Sequence, residues 1–131
     1  MDTMTVGNRL VELCRAGKNR EAIEALYADE VEVSEAMAVA DPENYDLSPV
    51  GTQTRAQVLE SNDRFFSIHE VNAVTVEGPY PHGDAFIVRM RFETTRKAGP
   101  MTGQPMVLEE AVRYGVRDGK IVSSFFYYPP M

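Results

Sequence analysis

Hydrophobic positions change period twice within the first 35 residues. Val6, Leu10, Leu13 and Cys14 recur at helical spacing and give way to Ala16-Gly17, a helix stop. Ala22, Ile23, Leu26 and Tyr27 resume that spacing, predicting a second helix from about Asn19 to Ala28. The pattern then switches to alternation. Val31, Val33 and Glu35 share one side of a predicted strand, and Glu32 and Ser34 take the other. An acid, Glu35, therefore falls on the apolar phase, where a carboxylate costs free energy unless something uses it.

From Met37 to Gln53 no period holds, and Pro42, Pro49 and Gly51 punctuate an acidic stretch. An irregular excursion is expected there, either a functional lid or a disordered segment. Thr54-Arg55-Ala56-Gln57 has the form of a capping box and predicts a third helix. Its apolar stripe contains Val58, Asn62, Phe65, Phe66 and His69, so two polar residues share an otherwise hydrophobic face.

The remainder predicts sheet over about 70–78, 84–96, 105–117 and 120–128. Gly78-Pro79-Tyr80-Pro81-His82-Gly83 and the segment 98–105 separate the earlier strands, and Asp118-Gly119 marks a tight hairpin. Alternation sets Phe86, Val88, Met90 and Phe92 against Arg89, Arg91 and Glu93. On the next strand Met106, Leu108, Glu110, Val112, Tyr114 and Val116 oppose Glu109, Arg113 and Arg117, so Glu110 is a second acid in an apolar phase. The apolar faces need cover, and three helices can supply it. The expected fold is α+β, a single domain over 1–131 in which about three N-terminal helices pack as a cone on a strongly curved antiparallel sheet.

Composition narrows the function. The chain has 131 residues, 44% hydrophobic and 25% charged, a globular balance. Its net charge of −7 repels phosphate backbones and anionic membranes, so neither nucleic acid nor membrane is an expected partner. No apolar run reaches membrane-spanning length and the N-terminus lacks a signal-peptide pattern, so a cytoplasmic location is expected. Cys14 is the one cysteine and reads as a buried, inert thiol. Dinucleotide, P-loop, nucleophile-elbow and EF-hand motifs are absent, and two histidines cannot build a histidine-rich metal site. No cofactor and no metal are expected.

Tyr27-Ala28-Asp29-Glu30-Val31-Glu32-Val33-Ser34-Glu35, together with Arg117-Asp118-Gly119-Lys120-Ile121-Val122 leading into Phe125-Phe126-Tyr127-Tyr128, resembles the nuclear transport factor 2-like superfamily and its SnoaL-like members. The resemblance spans nearly the whole chain. It implies a cystatin-like cone and marks fold better than activity, because the superfamily includes isomerases, cyclases, dehydratases, hydrolases and non-catalytic transport factors. Ketosteroid isomerase, a related family, places a carboxylate base where Glu35 stands. Its two oxyanion-hole donors fall here at Leu10 and at Ala111 or Val112, so this chain departs from that pattern at both.

The chemistry expected from these residues is acid–base. Burial could raise Glu35 into the range that suits proton transfer near neutrality. The structural alternative is a strand-end carboxylate bonded to loop amides or Arg55. Glu110 and His69 are the candidate partners, with a satisfied buried acid and a helix-end cation as their alternatives. Tyr27, Met37, Asn62, Phe66, Met90, Tyr114 and Tyr127 are the candidate contacts for an apolar small molecule, or else core filler. The C-terminal aromatic run is apolar on both faces, which predicts a homodimer through the sheet face. Two functions remain open: a cofactor-free enzyme acting on an apolar small molecule, and a non-catalytic binding or interaction module of the same fold.

Overall fold

The computed structural model describes residues 1–35 and 51–130, with Glu35 described for its backbone alone. Helix α1, Thr3–Arg15, begins where the Asp2 carboxylate accepts the Thr5 N–H at 2.8 Å, which holds that carboxyl below its usual range. It ends at Ala16-Gly17, where Gly17 adopts a φ of 73°. Helix α2 is Asn19–Leu26, two residues shorter than its periodicity predicts, because strand β1 starts at Tyr27 and runs to Glu35. The Arg20 guanidinium pairs with Asp63 and fastens α2 to the next helix.

The irregular segment expected over 37–53 contains a short strand, β2, at Gly51–Thr54, antiparallel to β1; residues 36–50, Met37 among them, lie outside the described residues. Thr54 then caps α3, Arg55–Ile68. Its hydroxyl accepts the Gln57 N–H at 3.1 Å, and Gln57 Oε1 accepts the Thr54 N–H at 2.9 Å. Strands β3 (His69–His82), β4 (Ala85–Arg96), β5 (Pro105–Arg117) and β6 (Lys120–Tyr127) follow as an antiparallel meander. Strand β3 passes through Gly78-Pro79, expected to be a turn, by a shift of register between Glu77 and Tyr80. Asp118 (φ 52°) and Gly119 (φ 74°) make the predicted hairpin turn.

The six strands are ordered β2-β1-β6-β5-β4-β3 in one curved, open sheet. The expectation of a purely antiparallel sheet is corrected here: β1 and β6 run parallel, giving a mixed sheet. Alternation specifies which face a side chain occupies but not the direction of the neighbouring strand. The helices are also not all N-terminal to the sheet, since α3 is inserted between β2 and β3.

All three helices lie toward the inward face. Helix α1 rests on β3, β4 and β5. Gly7 lets it approach closely, since a Cβ there would stand 3.0 Å from Pro79 Cβ. Val6, Leu10, Leu13 and Cys14 meet Phe86, Val88, Val112, Tyr114 and Ile121 in a core that excludes water. Arg15 Nε donates to the Val76 carbonyl at 3.0 Å, tying α1 to edge strand β3.

Candidate ligand site on the inner face of the sheet

The inward face has two unlike halves. Beneath α1 it is sealed: Phe86, Val88, Val112 and Ile121 are at most 1% exposed. Beneath α3 it is not. Helix α3 has no fully buried residue, and its Val58, Leu59, Asn62, Phe65 and Phe66 are all half-buried. The inward positions opposite, Val71, Val74, Met106, Leu108 and Phe126, are half-buried too. The backbone of α3 approaches the sheet chiefly at β1 and β2 on one side and β3 on the other, bridging the middle strands. Side-chain contact persists at the far end, where Phe65 lies 5.7 Å from Phe92 between ring centroids.

Glu110 stands where the two halves meet. It is half-buried, pairs in register with Met90, and has Leu108 and Val112 as its inward neighbours on β5. Three buried groups feel its charge. Desolvation pushes the Cys14 thiol up to about 12, and the Glu110 carboxylate pushes in the same direction. Tyr27 and Tyr114 are likewise raised well above the usual phenol range, by burial first and by Cys14 and Glu110 among their neighbours. Their rings meet edge to face at 6.4 Å and their hydroxyls hydrogen-bond one another. At neutral pH all three remain protonated, so this corner offers hydrogen-bond donors and no second anion.

The other candidate residues are dispersed. His69 is 3% exposed at the end of α3, stacked 4.5 Å from Phe65; its Nδ1 lies 3.1 Å from the Phe65 carbonyl, which can only accept, so Nδ1 carries a proton. Register places it beside Arg96, remote from Glu110 along the sheet. Met90 is buried at 6% on the inward phase, and Asn62 and Phe66 belong to the half-open part. Tyr27 and Tyr114, expected to contact ligand, lie instead in the sealed half, at 6% and 3% exposure. Tyr127 faces outward, 47% exposed. It lines a groove of about 360 Å³ with the outward-phase Thr75, Glu77, Arg89, Arg91 and Glu109, and the lining of that groove also reaches Met90 and Glu110.

Glu35 opposes Phe126 across the β1–β6 pair, in phase with Val31 and Val33; its side chain, like Met37, lies outside the described residues. The Arg55 partner imagined for it is engaged by the Tyr27 carbonyl at 3.2 Å and by Asp29 at 3.3 Å. Among the described residues, sequence reading missed four buried polar side chains: Gln53, Ser124, Thr94 and Arg96 are 4%, 2%, 1% and 3% exposed. Strict alternation along 92–96 could have found the last two. Among the described residues no group of histidine, cysteine and acidic side chains is placed to hold a metal, and no helix is long and apolar enough to cross a membrane.

Three helices on one face of a curved mixed sheet define the nuclear transport factor 2-like class. Residues 8–124 match the SnoaL-like domain family, and the chain belongs to it. A comparison with curated proteins finds no match. Among solved structures, a Mesorhizobium loti protein described both as a SnoaL-like polyketide cyclase and as a carbohydrate phosphatase is 31% identical; the match covers 98% of this chain and 100% of that one, with a TM-score of 0.81. A Catenulispora acidiphila protein with a ketosteroid isomerase-like fold, in complex with trimethylamine, is 22% identical over 88% of this chain and 79% of that one, with a TM-score of 0.62. A Xanthomonas campestris protein with a cystatin-like fold is 12% identical over 99% and 92%, with a TM-score of 0.70. The last two are similar in fold alone.

Proposed function

We propose that the half-open part of the inward face is a pocket for an apolar small molecule, and that Glu110 moves a proton on the molecule it holds. One observation carries this reading: an acid in the apolar phase sits at the boundary between a sealed core and an apolar surface that α3 leaves incompletely covered. Such a surface costs free energy in water and regains it when a ligand covers it. Glu110 is half-desolvated there, with protonated Tyr27 and Tyr114 behind it as fixed donors. Glu35, in the same strand phase, is the second carboxylate in this scheme, and His69 sits at the far end of the pocket. The reaction belongs to isomerisation, cyclisation, dehydration or hydrolysis, as expected of the SnoaL-like family. The two activities attached to the Mesorhizobium relative differ so widely that neither is carried over.

A neutral fluorescent probe tests the pocket. Phenylnaphthylamine should brighten on binding the wild type, and Leu108→Trp, which fills the half-open part, should abolish the signal while leaving the circular dichroism spectrum unchanged. Equal binding by the two proteins sinks the pocket. If the pocket binds ligand but Glu110→Gln leaves a discovered turnover intact, Glu110 is not the group that moves the proton.

The outward face supports a second proposal, a dimer. Of the six large hydrophobic residues that are exposed among the described residues, Tyr80, Ile87, Val107 and Tyr127 are all in the outward phase. The face also carries both signs of charge, with Arg89 paired to Glu77 and Arg91 to Glu93 and Glu109. A surface bearing both signs around apolar side chains can complement its own copy across a two-fold axis.

A further inference from the structure

Arg96 has no role in the scheme above, yet it is 3% exposed, and a guanidinium cannot shed its charge when buried. Phe92, Thr94 and Arg96 alternate on the inward phase of β4, so Arg96 continues the row that borders the half-open surface. Two contacts fix its direction. Nη1 lies 4.0 Å from the sulfur of Met106, an inward residue, and Nε donates to the Ala98 carbonyl at 3.3 Å. His69 is its register partner on β3, and the Thr94 hydroxyl, two positions away on the same face, donates to the Met106 carbonyl at 3.3 Å.

Glu110 opposes Met90, six residues earlier on β4, which places the Cα positions of Glu110 and Arg96 about 20 Å apart along the sheet by strand rise. The inward face thus has an acid at one end, a cation at the other, and half-buried Leu108 and Val74 between. An apolar ligand would gain nothing from either end. A ligand with an anionic head would be repelled by Glu110 and attracted to Arg96, which fixes its orientation and leaves its other end at Glu110.

We propose that Arg96, beside Thr94 and His69, anchors a carboxylate or similar anionic group of the ligand, so that the pocket prefers amphipathic acids of medium chain length to neutral apolar molecules. This rests on the pocket proposed above. It does not require Arg96 to lack protein contacts, since a planar five-donor fork can serve protein acceptors on one edge and a carboxylate on the other.

Titration calorimetry with decanoate and decanol, matched in chain length, tests the anchor at neutral pH. Wild-type protein should bind decanoate at least about tenfold more tightly, the contribution of one charge-assisted hydrogen bond. Arg96→Gln should lose that preference and keep its affinity for decanol, and Arg96→Lys should restore part of it. Equal binding of the two compounds by the wild type overturns the anchor and leaves the pocket standing, a result that needs no variant to fold. A preference retained in Arg96→Gln also overturns it. If neither compound binds, pocket and anchor fall together.

Discussion

Cys14, Tyr27, Tyr114 and Glu110 show how a single half-buried charge is registered by its neighbours. The Cys14 thiol is raised from 9.0 to about 12, so its neutral form is favoured in the folded chain. That contribution to stability is fully present below pH 9 and is lost as the pH rises toward about 12, where the unfolded chain has already given up its proton. Tyr27 and Tyr114 act in the same direction at still higher pH. Thermal melts should therefore fall steeply across this alkaline window, and Cys14→Ala should make the fall shallower. Glu110→Gln is expected to lower the apparent Cys14 pKa, read from thiolate absorbance, because it removes one of the two causes of the shift. The same substitution should leave the melting temperature unchanged or higher, since an amide costs less to desolvate than a carboxylate. A large loss of stability would assign Glu110 a structural role.

At the scale of elements, α3 matters most for function. It has a strong start and a weak grip. The reciprocal bonds of Thr54 and Gln57 define its first turn, yet no residue along its length is fully buried. Its position therefore depends on the cap, on Arg20–Asp63, on the Phe65–His69 stack and on Val58 and Leu59, which pack against the core from half-buried positions. Thr54→Ala should cost about 1 kcal/mol in denaturant unfolding. It should also weaken ligand binding if α3 roofs the pocket, whereas an equal loss of stability without any change in binding would separate the helix from the site. The capping box was legible in four residues because it is a local motif. Strand β2 was not legible, because Gly51–Thr54 has no alternation of its own and becomes a strand only by pairing with β1.

For the whole molecule, the division of the sheet into an inward and an outward face sets the expected assembly. The outward groove of about 360 Å³ and the exposed Tyr127 lie near the middle of the face proposed to meet a second copy. Light scattering coupled to size exclusion should give a dimer for the wild type. Tyr127→Glu should shift it to monomer with the fold intact, and a wild type that is monomeric across the accessible concentrations removes the proposed interface.

What the sequence determined by itself is local and periodic: the helices, the meander, the Asp118-Gly119 turn and the inward phase of Glu110, each encoded by spacing within one segment. Tertiary structure alone decided the rest. It set β1 parallel to β6, it left α3 bridging the sheet, and it buried Arg96 beside His69. It also placed Tyr27 and Tyr114 in the sealed half and turned Tyr127 outward. Periodicity tells a side chain which face to take, whereas cover on that face comes from elements far away in the chain. The difference between core filler and pocket wall is therefore settled by where the helices come to rest.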